Sequence, residues 1–181
     1  MVRTDALTGG ANRRAWDDEV AAWHSRADHP DAYVLSCDLD GLKAVNDHYG
    51  HAAGDALIRG ASNLLRACVR EGDLVARVGG DEFVVLVSPA DSTAVRRVTA
   101  RVRRAQRAWR VTEHGLTPRL SMGHARVPAD GDLEGARAAA DRAMYASKRR
   151  RAAAPTPTTP WRTAARRRAG DRGEPAGSGI D

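Results

Sequence analysis

Aromatic residues are scarce in this chain: one Phe, three Tyr and four Trp among 181 residues. There are only two cysteines, Cys37 and Cys68, and both fall in apolar segments. That excludes a disulfide framework and points to reduced, buried thiols. No apolar run approaches transmembrane length, and the opening Met1-Val2-Arg3-Thr4-Asp5 lacks a signal-peptide core. A cytoplasmic protein with no membrane partner is therefore expected. No internal repeat is present, which excludes a solenoid. Charge of one sign is missing from the body. Residues 1–148 hold 21 Lys/Arg against 20 Asp/Glu, whereas residues 149–181 hold 8 Arg against 3 acids. The basic pI belongs largely to the tail, and the body does not read as a dedicated nucleic-acid binder.

The length suits one domain with a proper core. Asn12 to about Ala27 has Trp16, Val20 and Trp23 at helical spacing, and Asp28-His29-Pro30-Asp31 breaks the pattern. Tyr33–Asp38 reads as a buried strand, followed by a loop to about Ala53. From Asp55, one helix face runs through Leu57, Ile58, Ala61, Leu64, Leu65 and Cys68. Leu74–Val87 is a hairpin. Asp91-Ser92 caps a helix to about Trp109 through Val95, Val98 and Val102. Pro118–Val127 is a strand, and Asp132–Arg150 a last helix with Leu133, Ala136, Ala140, Ala143 and Met144 inward. The βαββαβ pattern predicts an α+β fold, an antiparallel sheet with helices on one face. Residues 1–150 form the expected domain. Residues 151–181, rich in Arg, Pro and Gly, read as a disordered tail.

Gly79-Gly80-Asp81-Glu82-Phe83 is the most informative stretch. The two glycines suit a hairpin turn, but a turn has no need of adjacent acids. Side-by-side carboxylates repel unless a cation sits between them, and hard cations such as Mg²⁺ take carboxylate oxygens. A solvated acidic hairpin is the alternative for this motif alone. The strand Tyr33–Asp38 delivers Asp38-Leu39-Asp40 to its end, with Asp38 and Asp40 on one side. If that strand lies beside the hairpin, Asp38 can share a cation with Asp81 or Glu82, as metal-assisted phosphoryl transfer requires. Lys43, five residues on, is placed to meet a triphosphate. Asp40 is open to a second reading, as a structural acid bonding loop amides.

Asn46 and Asp55 flank Gly50-His51-Ala52-Ala53-Gly54. The glycines let the chain fold back and bring both side chains to one ligand. An Asp acceptor and an Asn donor match the guanine edge and not the adenine edge. Alone, Asp55 is more simply the N-cap of the helix that follows.

The runs from Asp38 to Asp55 and from Arg77 to Phe83 strongly resemble the GGDEF-domain diguanylate cyclases. Asp5-Ala6-Leu7-Thr8-Gly9 with Asn12-Arg13-Arg14 resembles that family's opening signature, and Asp141–Lys148 its last helix. The resemblance spans residues 5 to about 150. It implies an α/β sandwich like the palm of nucleotidyl cyclases and polymerases, with helices packed around the sheet. It also implies condensation of two GTP into cyclic di-GMP and pyrophosphate with Mg²⁺ or Mn²⁺. By position, Asp38, the Leu39 carbonyl, Asp81 and Glu82 would hold metal, and Asp81 or its neighbour would help deprotonate the 3′-hydroxyl. Asn46 and Asp55 would read guanine, and Lys43 and Lys148 would hold phosphates. The reaction implies a transient homodimer.

The chain departs from the family pattern at Gly10, at Gly41-Leu42, at His124 and at Ala152. Arg70-Glu71-Gly72-Asp73 resembles the family's product-inhibition site, with Arg101 as a second contact. A bare helix-end Arg and capping Asp is the alternative there. A receptor that binds GTP or cyclic di-GMP without turnover is the competing function, favoured by the loosened Gly41-Leu42 loop. An anionic-surface role for Arg162–Arg168 is a third. The chain begins almost at the opening signature, and a domain without its own sensor is expected.

Overall fold

The computed structural model describes residues 2–109 and 119–152. In chain order they form β1 (Ala11–Asn12), α1 (Arg13–His24), β2 (Tyr33–Asp40), α2 (Leu42–Tyr49) and α3 (His51–Cys68), then β3 (Leu74–Arg77), β4 (Glu82–Val87), α4 (Ser92–Ala108), β5 (Arg119–Arg126) and α5 (Leu133–Ala152). The five strands make one sheet in the order β1-β3-β4-β2-β5. The predicted βαββαβ order is present. The sheet is mixed rather than purely antiparallel, because the two-residue β1 pairs parallel with β3. A pair of residues is too short to leave a periodic signal.

Strand β2 carries the architecture. It lies between β4 and β5 and runs antiparallel to both. Leu35, Cys37 and Leu39 face one core with Leu57, Ile58, Ala61 and Leu65 of α3 and Val95, Val98 and Val102 of α4. Val34 faces the other core with Trp16 and Trp23 of α1 and Leu133, Ala136 and Ala140 of α5. The helices therefore cover both faces, which corrects the one-face expectation. A central strand buried on both sides reads as a continuous apolar run, as Tyr33–Cys37 does, and such a run does not say how many faces are covered.

Capping fixes the helix starts. Asn12 Oδ1 accepts from Ala15 N at 3.0 Å, and Asp91 accepts from Ala94 N at 2.7 Å. The expected loop after β2 is instead α2 and the first turn of α3, joined at Gly50 with φ of 83°. Left-handed backbone there is what Gly supplies and other residues resist. Asp55 thus lies inside α3, and the N-cap reading of it falls. On α5, Ala143 is exposed rather than inward and Met144 is half-buried. The backbone of α5 packs so closely on β5 that a Cβ at Gly123 would overlap Ala140 O and Met144 N. The predicted tail lies, beyond Ala152, outside the described residues, as do residues 110–118.

Candidate active site

The β2–β4 ladder sets Asp38 directly across from Glu82. Along β4, Phe83 and Val85 enter the α3/α4 core while Val84 and Leu86 enter the other. By the same alternation Glu82, Asp38 and Asp40 share the side that faces α5. Like charges directly opposite on a ladder destabilise it. Lys148, from the last turns of α5, supplies the opposite charge. Its ammonium bonds Asp38 and lies 3.2 Å from Asp40 Oδ1. Burial works against the Lys148 charge, but hydrogen bonds to Asp38 and Asp40 outweigh it and hold the ammonium above the usual lysine range. Ser121 Oγ on β5 stands 2.8 Å from both Asp40 oxygens. Among the described residues Asp40 is bonded to the side chains of Ser121 and Lys148, not to the loop amides of its alternative reading.

The hairpin is tied to the end of β2. Leu39 N donates to Asp81 O at 3.0 Å, so Asp81 stands beside Asp38 and Asp40 along the chain path. Val78 N closes the turn on Glu82 O at 3.0 Å. The Glu82 side chain folds back over Gly79, where a Cβ would lie 2.7 Å from Glu82 Oε2. Arg77 is the clamp that composition did not reveal. It donates to Gly80 O at 2.9 Å and reaches Asp5 at 3.1 and 3.2 Å. Asp5 also accepts from Thr8 N and Thr8 Oγ1 at 2.9 and 2.8 Å. Burial tends to raise the Asp5 pKa, yet these bonds and the Arg77 charge bring it below the usual carboxylate value. The opening signature thus holds the acidic turn in place. Its separation of 72 residues from Arg77 is why a local pattern does not find it.

Hard oxygen donors on one side of the sheet, Asp38, Asp40 and Glu82, have the chemistry a divalent cation such as Mg²⁺ requires. Among the described residues no group of three His, Cys, Asp or Glu side chains converges as a ligand set. The ammonium of Lys148 neutralises Asp38 and Asp40 in this arrangement.

The residues expected to meet nucleotide come from α2 and α3. Gly41, with φ of 81°, starts α2, and Lys43 is exposed on its first turn. Asn46 turns inward from α2 onto Gly54 of α3, where a Cβ would overlap its amide oxygen. That oxygen, Oδ1, is buried and has no hydrogen-bond partner. Asp55 is half-buried, one residue beyond Gly54. A buried unpaired polar atom costs about 1–3 kcal/mol, so its place calls for a partner.

Arg70 and Asp73 lie at the corner between α3 and β3. The Asp73 side chain is 1% exposed. It accepts from Arg70 N at 3.1 Å, Arg70 Nε at 3.4 Å and Ser88 N at 3.3 Å. The Arg70 side chain is 52% exposed and also bonds Pro89 O. Arg101 donates to Cys68 O at 2.8 Å, close to the same corner. A cleft of about 530 Å³ opens there, lined among others by Arg3, Gly10, Arg66, Arg70 and Glu71. It lies apart from the Asp38 cluster. Both cysteines are free and buried. Burial first and Asp38 second push the Cys37 thiol up to about 12, so it is inert.

A mixed five-stranded sheet with helices on both faces, and carboxylates gathered where the central strand meets a glycine hairpin, is the palm-like α+β class. Residues 2–153 match the GGDEF family, described as diguanylate cyclase, GGDEF domain. The chain belongs to that family. It is 39% identical over 150 residues to the bifunctional diguanylate cyclase/cyclic di-GMP phosphodiesterase MucR of Pseudomonas aeruginosa, which covers 80% of this chain and 22% of the relative. It is 32% identical over 118 residues to diguanylate cyclase A of Treponema denticola, covering 64% and 32%. To the cyclic di-GMP phosphodiesterase PdeR of Escherichia coli it is 35% identical over 150 residues, covering 82% and 23%. The chain therefore spans a third or less of the length of these relatives. The crystal structure of the GGDEF domain of DgcB from Caulobacter crescentus in complex with c-di-GMP is similar at a TM-score of 0.75 and 27% identity, covering 82% of this chain and 91% of that one. Among the described residues no helix is long and apolar enough to cross a membrane.

Proposed function

We propose that this chain is a diguanylate cyclase, condensing two GTP into cyclic di-GMP and two pyrophosphates across a two-fold pair of domains. The observation that carries the reading is the Asp38–Glu82 cross-strand pair, held beside Asp81 by the Leu39 N to Asp81 O bond. Bound at Asp38, the Leu39 carbonyl, Asp81 and Glu82, Mg²⁺ or Mn²⁺ would neutralise phosphate charge and favour the 3′-alkoxide. Asp81 or Glu82 takes the 3′-hydroxyl proton. Each 3′-oxygen then attacks the α-phosphorus of the other GTP, so two P–O bonds form and two pyrophosphates leave. Lys43 and Lys148 hold the triphosphate, and Lys148 must leave Asp38 to do so. Asn46 and Asp55 read the guanine edge, the buried Asn46 Oδ1 accepting from a guanine N–H, a donor it otherwise lacks, rather than the amide donating to the carbonyl. Arg70 and Asp73, with Arg101, form a product site at which cyclic di-GMP inhibits.

A second reading, a receptor that binds nucleotide without turnover, is favoured by one observation: the Lys148 ammonium already neutralises Asp38 and Asp40. Incubation of the purified chain with GTP and Mg²⁺, with products separated chromatographically, distinguishes the two. Cyclic di-GMP and pyrophosphate are expected from GTP and not from ATP. Saturable GTP binding with no product would establish the receptor.

A further inference from the structure

Helix α4 holds six arginines, Arg96, Arg97, Arg101, Arg103, Arg104 and Arg107, and no acidic residue along its 17 positions. All six are exposed. Other helices mix their signs: Arg13 pairs with Asp17 on α1, and Arg137 with Glu134 and Asp141 on α5. On α4, Arg97 and Arg101, and Arg103 and Arg107, stand at i,i+4. Like charges at that spacing weaken a helix. The burial of Val95, Val98 and Val102 holds α4 in place regardless. Arg101 ties α4 to α3 through Cys68 O, but no acid along α4 offsets the run of like charge.

Helix α3, packed beside α4 on the same face of the sheet, adds exposed Arg59 and Arg66 against one acid, Asp55. The layer thus carries eight arginines and one carboxylate. The same charges reach β5. His124 on the α4 side is held below the usual imidazole range by burial, then by the charges of Arg103 and Arg96.

Shape selects the partner. Two helices side by side, with axes about 8–10 Å apart, make a layer about 20 Å across, and α4 is about 25 Å long. That is wider than the roughly 12 Å major groove of duplex DNA. Neither helix contains Phe, Tyr or Trp, which single-stranded nucleic acid would use for base stacking. A broad basic layer with no apolar wedge fits a broad negative plane and does not insert in it.

We propose that the α3/α4 face docks by charge alone on an anionic phospholipid bilayer. Such adsorption requires no spanning segment, and its test, binding to vesicles, does not depend on the reading of the nucleotide site. Asp38, Asp40 and Glu82 face the opposite side of the sheet, so a docked domain keeps them open.

The test is sedimentation of the full chain with vesicles of phosphatidylcholine, alone or with about a third phosphatidylglycerol. Binding is expected only to the anionic vesicles, and it should disappear as salt rises from about 0.05 M to about 0.5 M. Each arginine near the surface is worth roughly fivefold in affinity. The variant Arg96→Gln/Arg97→Gln/Arg103→Gln/Arg104→Gln should therefore bind on the order of 100-fold or more weaker. If it does not fold, judged by circular dichroism, the pairs Arg96→Gln/Arg103→Gln and Arg97→Gln/Arg104→Gln should each lose roughly 25-fold. A tail variant, Arg162→Gln/Arg166→Gln/Arg167→Gln/Arg168→Gln, should retain most of the binding. Unchanged binding by folded α4 variants overturns the proposal, as does loss confined to the tail variant. Tighter α4-dependent binding to a duplex DNA oligonucleotide than to the anionic vesicles would move the face to nucleic acid.

Discussion

Asn46 lays its side-chain amide against Gly54 across the α2–α3 corner, and residue 54 has no room for a Cβ. The amide oxygen is buried there without a partner. Such an atom burdens the empty protein and rewards a ligand that satisfies it. Asn46→Ala should therefore leave the melting temperature unchanged or raise it, while weakening GTP binding by about 1–3 kcal/mol. Gly54→Ala should displace the Asn46 amide and weaken GTP in the same direction. Calorimetric titration with GTP beside a thermal melt reads both quantities. A destabilised Asn46→Ala that still binds GTP normally would make Asn46 a packing residue.

On the proposed reading, Lys148 and a divalent cation compete for the same carboxylates. Lys148→Gln should lower stability in the absence of metal by no more than about 1 kcal/mol, since the pair is partly exposed. Added Mg²⁺ should raise the melting temperature more in this variant than in the wild type. Asp38→Asn should abolish both that Mg²⁺ response and cyclic di-GMP formation. Equal Mg²⁺ responses in wild type and Lys148→Gln would show that the ammonium does not guard the metal position.

What the sequence disclosed and withheld has a physical order. Local signals held: Asp91 caps as its spacing implies, and Asp38 and Asp40 share a side because strand alternation allows nothing else. The segment 42–49 was missed as a helix because it buries no residue fully, and an eight-residue helix leaves little periodic trace. Relations across long separations were missed as well. The Arg77–Asp5 clamp and the parallel β1–β3 pair are such cases, since neither residue's neighbours carry the information.

At the α3–β3 corner, Asp73 and Arg70 should separate when mutated. Asp73 is buried and holds the backbone amides of Arg70 and Ser88. Asp73→Ala strands both donors and should cost about 1–3 kcal/mol in a chemical denaturation curve. Arg70 is half-exposed, and its partner Asp73 keeps the Ser88 bond without it. Arg70→Ala should change stability little while relieving inhibition by cyclic di-GMP. Full inhibition of Arg70→Ala would remove the product site from this corner.

His124 gives the fold a dependence on pH. Burial, with Arg103 and Arg96, depresses its folded pKa below the ordinary value of about 6.5. The unfolded chain then takes up the proton first. Stability from this group is whole above about 6.5 and is lost as pH falls through that value toward the folded pKa. His124→Gln should flatten the melting-temperature profile between about pH 7 and 5. Arg96→Gln/Arg103→Gln should raise the imidazole pKa in an NMR titration. An unmoved imidazole would mean that burial alone sets it.

Turnover should demand two copies of the domain. One chain presents a single Asp38–Glu82 pair and a single Asn46–Gly54 corner among its described residues, and on the proposed reading would hold one GTP. The product requires each 3′-hydroxyl to lie in line with the other molecule's α-phosphorus, which calls for two domains facing across a two-fold axis. For this chain alone in dilute solution, the productive encounter is bimolecular. Specific activity should rise in proportion to protein concentration, approaching second-order behaviour, and level off once most chains are paired. Fusing a dimeric coiled coil ahead of Asp5 should raise activity at low concentration by raising the effective concentration of the second domain. The same fusion on Asp38→Asn should gain nothing, which separates pairing from any stabilising effect of the added helix. A specific activity that stays flat on dilution, in a chain that sediments as a monomer throughout, would refute the face-to-face reaction.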